Sequence, residues 1–75
     1  MSELAVNSEV GGSVWKIEVA VGQAVAEGDT LLVVESMKME LALAAPCAGT
    51  VARLLVAEGE MVDEDQPVLI LVASA

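Results

Sequence analysis

Side chains able to do chemistry are scarce in this chain, and one lysine stands out among them. There is no histidine, a single cysteine at Cys47, and three cations, Lys16, Lys38 and Arg53, against 12 carboxylates. A nucleophile needs a base within reach, and a structural zinc needs several nitrogen or sulfur donors. Cys47 alone meets neither requirement, so independent catalysis and a zinc site both fall away. The acidic residues Glu58, Glu60, Asp63, Glu64 and Asp65 read as a solvated rim, able to steer basic partner surfaces, rather than as a metal site. What remains is Lys38, set in Glu35-Ser36-Met37-Lys38-Met39-Glu40 with a methionine on each side. Flexible thioethers make adaptable contact surfaces, which suits a lysine presented to a partner. The ordinary alternative is a solvated lysine between two methionines that turn toward the core.

The remainder of the chain must position that lysine. Its 75 residues suffice for one domain with a radius of gyration of about 11 Å, too small for a deep enzyme cleft. The chain is 56 % hydrophobic with a mean hydropathy of +0.70. Even so, the longest uncharged runs, Leu41 to Ala52 and Gln66 to Ala75, fall short of the ~20 apolar residues of a membrane span. No charged segment leads into an apolar stretch at the N-terminus, and one cysteine cannot close an internal disulfide. Both observations point to the cytoplasm. The net charge of −9 repels phosphate backbones and acidic headgroups, so nucleic acid and membranes are not expected partners.

The strongest organisational signal is an internal repeat. Displacing the chain by 37 residues sets Gly12-Ser13-Val14 on Gly49-Thr50-Val51 without a gap, and Gly22, Val25, Glu27 and Leu32 on Gly59, Val62, Glu64 and Leu69. Residues 1–75 thus read as a single domain of two halves, 2–38 and 39–75. Short β-branched segments separated by Gly-containing or acidic turns place four strands in each half. The expected strands are 3–6, 12–19, 24–26 and 30–36, then 39–44, 49–56, 61–63 and 67–73. Trp15, Ile17 and Val19 recur with period 2, as do Leu54 and Val56, with Lys16, Glu18 and Arg53 on the opposite face. Gly12, Gly22, Gly49 and Gly59 are expected at turns or close-packed positions, and Cys47, the repeat partner of Val10, as a half-buried filler.

Neither half could bury its apolar face alone. The expected fold is therefore all-β: a flattened barrel or sandwich of two four-stranded antiparallel sheets, related by a pseudo-twofold axis. Glu35 to Ala45 is rich in helix formers. Its alternation of Met39, Leu41 and Leu43 with Lys38, Glu40 and Ala42, and its pairing with Leu4-Ala5-Val6 in the repeat, favour a strand instead.

In this frame the repeat boundary falls between Lys38 and Met39, with Met39 matched to Ser2 and Lys38 to Ala75. Lys38 is expected at a turn remote from the termini. A tight hairpin ordinarily uses Asn-Gly or Asp-Gly, because its central residues take positive φ. Ser36-Met37-Lys38-Met39 offers neither. A side chain held at positive φ costs roughly 1–3 kcal/mol, a penalty that persists where function demands a particular residue.

With these residues assembled, the chain resembles the biotinyl attachment domain, whose hallmark is a Met-Lys-Met tip between two four-strand halves. The likeness extends over nearly the whole chain and is greatest to stand-alone biotin/lipoyl attachment proteins and to biotin carboxyl carrier proteins of acyl-CoA carboxylases. Val14-Trp15-Lys16 resembles the small stand-alone form, and Ala45-Pro46-Cys47-Ala48-Gly49-Thr50-Val51 fits the Ala-Pro-x-x-Gly-x-Val segment after the attachment hairpin. The corresponding N-terminal segment departs from the pattern as Ser8-Glu9-Val10-Gly11-Gly12. Because 12–35 align with 49–72 without a gap, no protruding insertion is expected.

The resemblance implies that Lys38 carries covalent biotin, attached by a biotin protein ligase that uses biotinyl adenylate. Met37 and Met39 would be flanking recognition residues, with a smaller contribution from Glu35, Ser36 and Glu40. It further implies a non-catalytic carrier, loaded by a biotin carboxylase from ATP and bicarbonate and discharged at a carboxyltransferase, with an acyl-CoA as acceptor. A tethered arm would deliver its group at high effective concentration. Two other readings stand beside this one. A lipoyl domain shares the fold but usually presents Asp-Lys-Ala, and Met37 occupies the acidic position here. An unmodified barrel used only for assembly, as in membrane-fusion adaptors, lacks the lysine and is normally inserted between helical hairpins.

Overall fold

The computed structural model describes residues 3–73. Eight strands follow in order: β1 (Glu3–Asn7), β2 (Gly12–Ile17), β3 (Ala24–Val25), β4 (Thr30–Ser36), β5 (Met39–Ala44), β6 (Gly49–Leu54), β7 (Met61–Val62) and β8 (Pro67–Ala73). They form two four-stranded sheets, ordered β1-β8-β6-β3 and β5-β4-β2-β7, with every pairing antiparallel. Ser2 and Ala75, the repeat partners of Met39 and Lys38, lie outside the described residues. Among those described, no helix is long and apolar enough to cross a membrane.

Each sheet takes two strands from either side of the β4–β5 turn. β1 and β3 leave their own half to flank β6 and β8, while β5 and β7 flank β2 and β4. The halves are interlocked rather than stacked, which is why neither can close its hydrogen-bond ladder without the other. The core repeats the 37-residue offset. Val14 with Val51, Leu31 with Val68, Leu32 with Leu69 and Val34 with Leu71 are all at most 2 % exposed. Burying such aliphatic side chains is the main favourable term available to a chain with one aromatic residue. Val10, Ile17, Cys47 and Leu54 pack half-buried against this core, so Cys47 takes the filler position of its repeat partner.

Two local features keep the strands close and re-aim their side chains. A Cβ on Gly12 would collide with the carbonyl oxygen of Glu35, and one on Gly49 with that of Val72. Only glycine lets these backbones approach. Shortly afterwards the register shifts between Val14 and Lys16 in β2 and between Val51 and Arg53 in β6. These β-bulges correct the expected strict alternation. An extra residue is inserted at Trp15 and at Ala52, so Val14 points inward and Trp15 stands 52 % exposed beside exposed Lys16. β2 and β6 also end two residues earlier than expected, although Val19 and Val56 remain buried beyond the ladder.

Four tight turns link these strands, and all four are built alike. The amides of Gln23, Asp29, Glu60 and Gln66 donate back to the carbonyls of Ala20, Ala26, Ala57 and Asp63. The third residue of each, Gly22, Gly28, Gly59 or Asp65, has positive φ, the signature of a type II turn. Among the described residues, no link between strands extends into a protruding insertion. Ser8 takes the buried place that Ala45 fills in the second half, and its hydroxyl donates to the Val10 carbonyl at 2.6 Å. The departure at 8–12 is thereby accommodated.

Candidate functional site

The β4–β5 hairpin carries the candidate lysine. Val33 pairs with Ala42, Val34 with Leu41, Glu35 with Glu40 and Ser36 with Met39, leaving Met37 and Lys38 as a two-residue turn. Leu32 and Leu43, paired and buried near its base, anchor this ribbon in the core. Helix propensity in 35–45 therefore yields to cross-strand pairing and burial. The turn has φ of 52° at Met37 and 67° at Lys38. Positive φ at both central residues is the type I′ arrangement, whose twist matches that of the strands it joins. The chain adopts it without the Asn or Gly that would relieve it.

The tip is fully presented to solvent. Met37 is 92 % exposed and Met39 60 % exposed, and Lys38 is exposed as well. This corrects the alternative in which the methionines turn toward the core. The ion pair formed among the described residues joins Lys16 and Glu18 at 3.8 Å, on the surface, and leaves the Lys38 ammonium in water. Beneath the tip, Glu35 and Glu40 face each other across the strands. Like charges opposed in this way are destabilising. Ser36 is half-buried at the base of the turn. The hairpin thus brings Glu35, Ser36, Met37, Lys38, Met39 and Glu40 together at one place.

Other sequence candidates fall elsewhere. No cluster of three or more metal-ligating side chains occurs among the described residues. The acidic rim is more than a solvated surface, because Glu60 Oε1 accepts from the Ala57 amide at 3.1 Å, and Glu58 Oε2 accepts from the Ile17 amide at 3.0 Å. The second contact ties the two halves together and has no counterpart at Val21, the repeat partner of Glu58. A shallow groove of about 380 Å³ runs between Leu4–Asn7 of β1 and Leu43, Ala44 and Pro46. Apart from Glu9 it offers no titratable group, and Lys38 is not among the residues that line it.

An amine on an exposed, anchored tip, with no charged neighbour holding it, is what a protein needs to offer a lysine to another active site. A family model described as "Biotin-requiring enzyme" matches residues 1–71. The chain belongs to the biotin/lipoyl attachment family. Among its relatives, the biotin/lipoyl attachment protein of Bacillus subtilis (strain 168) is 32 % identical over 88 % of this chain and 90 % of that protein. Urea amidolyase of Saccharomyces cerevisiae (strain ATCC 204508 / S288c) is 35 % identical over 88 % of this chain, which spans only 4 % of that enzyme. The fold superimposes with a TM-score of 0.91 and 33 % identity on part of a single-chain, multi-domain long-chain acyl-CoA carboxylase, covering 96 % of this chain and 7 % of that one. The all-β architecture is therefore that of the biotin/lipoyl family, and the cofactor is covalently attached biotin. The residues fit it, because acylation of a lysine needs a free amine on an accessible segment, and the hairpin provides one.

Proposed function

We propose that residues 1–75 form a single biotin carrier domain in which Lys38 is the attachment point, and that the domain moves carboxyl groups between enzymes without catalysing a reaction itself. The observation that carries this reading is the tip: Met37 and Lys38 occupy a type I′ turn at positive φ, exposed and without a turn-favouring residue. The sequence gives up turn stability there in favour of a displayed lysine. Attachment is amide formation. The neutral Lys38 Nζ would attack the carbonyl of biotinyl adenylate; a carbon–nitrogen bond forms, AMP leaves with the electron pair of the broken acyl–phosphate bond, and the nitrogen gives up one proton to solvent. A biotin protein ligase supplies the adenylate, and Met37 and Met39 give it apolar contacts on both sides of the amine, with Glu35, Ser36 and Glu40 beside them.

Held on Lys38, biotin would supply a ring nitrogen on which a carboxyl group can be carried. The chain contributes reach and placement: an anchored hairpin, an exposed amine and an acidic body that steers toward basic partner surfaces. The partners on this reading are a biotin carboxylase and a carboxyltransferase, and the acceptor is an acyl-CoA, in keeping with the long-chain acyl-CoA carboxylase that the fold matches. Urea amidolyase among the relatives makes the acceptor the least constrained part of the reading. A cytoplasmic location accords with the presence of a single cysteine.

The test is the intact mass of the protein from cells supplied with biotin and lipoate, beside a Lys38→Arg variant. A single biotinyl amide on the wild type, absent from the variant, is expected. A lipoyl adduct would move the protein to acyl or aminomethyl transfer. No adduct in the presence of added ligase would leave an unmodified structural barrel and overturn the carrier reading.

A further inference from the structure

The repeat provides an internal control for the outer faces of the two sheets. On the sheet that bears the hairpin, register aligns Met61, Ser13, Glu35 and Glu40 in one cross-strand row. On the other sheet the equivalent row is Ala24, Thr50, Val72 and Glu3. The bulge residue beside each row is Trp15 on the first sheet and Ala52 on the second. The fold is therefore satisfied by alanine at both positions where the hairpin sheet places a large apolar side chain. Trp15 is 52 % exposed and Met61 71 % exposed, so neither is needed to fill the core. Trp15 is also the chain's one aromatic residue, and bulges commonly re-aim a side chain for use.

This face is continuous with the tip. The row that starts at Met61 ends in Glu35 and Glu40, separated from the Met37-Lys38 turn only by the Ser36–Met39 pair. We propose that Trp15 and Met61 anchor a docking surface on the outer face of β5-β4-β2-β7, read by the ligase that acylates unmodified Lys38. The inference rests on the carrier reading above and adds to it the surface that sets recognition. Reach selects this occupant. Before modification the amine stands one lysine side chain from the backbone, so an enzyme that closes an acyl-adenylate around it must approach the domain body. An enzyme served by the longer biotinyl arm can stay further away. Charge selects the partner's chemistry: Glu35 and Glu40 lie in the Met61 row, Glu58 bonds the Ile17 amide of β2, and Lys16 is paired with Glu18, on a chain of net charge −9. The matching surface is an apolar patch rimmed by lysine or arginine. Exposed tryptophan and methionine are typical of such anchors.

The experiment measures initial rates of biotin incorporation into the full chain by a purified biotin protein ligase with ATP and biotin, as a function of carrier concentration. The double variant Trp15→Ala, Met61→Ala installs the side chains that the repeat already uses, so folding is retained; its thermal midpoint and the reaction of Lys38 with a small amine-reactive ester check this. Its KM for the carrier is expected to rise about tenfold, with kcat changed less than about twofold, the pattern of lost binding rather than lost chemistry. Thr50→Ala on the opposite sheet should leave both unchanged. A wild-type KM in the double variant, with biotin still attached at Lys38, would overturn the docking surface alone. Failure of the wild type to accept biotin would overturn the carrier reading and this inference with it.

Discussion

The turn at Met37-Lys38 and the four turns at Gly22, Gly28, Gly59 and Asp65 all require positive φ, but they meet the requirement differently. In three of the four, glycine takes the left-handed position, and in all four a side chain three residues along closes the turn by accepting from a backbone amide. The hairpin tip has two positive-φ residues, both with long side chains, and no such closing bond. The chain evidently has ways of making stable turns and does not use them at the tip. Asp65 bears positive φ singly and with a closing bond, whereas the tip bears it at two adjacent residues with none; strain concentrated in this way identifies where presentation takes precedence over stability.

The largest test of this contrast is to give the tip ordinary turn chemistry. Met37→Asn with Lys38→Gly should stabilise the domain by about 2 kcal/mol, by removing two strained residues from a type I′ turn. In a domain of this size that corresponds to a rise of roughly 10 °C in Tm. The same variant should take up no biotin. A Tm at or below that of the wild type would mean that the tip carries no stored strain.

A second pair of changes compares the halves. Gly28 and Asp65 are repeat partners at φ of 90° and 66°. Gly28→Ala should cost about 1 to 2 kcal/mol, because a Cβ is disfavoured there even though nothing lies within 4 Å to obstruct it. Asp65→Gly should stabilise by roughly 0.5 kcal/mol, since aspartate tolerates the left-handed region better than most residues but less well than glycine. Urea midpoints at constant m-value measure both. Changes of the same sign would mean that the two turns are not equivalent in solution.

Much of this was legible in the residues. The ungapped 37-residue repeat carried the succession of strands, the dependence of each half on the other for burial and the location of Lys38 at their junction, but it suggested halves packed on one another and not the exchange of strands between sheets that the structure shows. The absence of any turn-forming residue between Ser36 and Met39 marked the strain that Met37 and Lys38 bear. The bulges were not legible: period 2 groups Trp15 with Ile17 and Val19 against Lys16, whereas the register with β4 turns Val14 inward and leaves Trp15 exposed. The same bulge at Ala52, where only a small residue stands, shows that it belongs to the fold and not to tryptophan. Glu58 was hidden for a related reason. Its bond to the Ile17 amide joins residues 41 apart, and no local pattern announces it.

The smallest effect concerns the side chains that close the four turns. Asp29 Oδ2 accepts from the Ala26 amide at 2.9 Å, and Gln23 Oε1 from the Ala20 amide at 3.1 Å. Both bonds are exposed, so water competes for each partner, and Asp29→Ala or Gln23→Ala should each cost only about 0.5 kcal/mol. Hydrogen exchange reads the effect locally: the Ala26 amide should exchange several-fold faster in Asp29→Ala, while the amides flanking Lys38 keep their rates. Because the tip has no side-chain closure to lose, a change there would show that the turns are coupled through the sheets. An unchanged Ala26 amide would show instead that backbone pairing alone holds these turns, and the difference between them and the tip would then reduce to glycine.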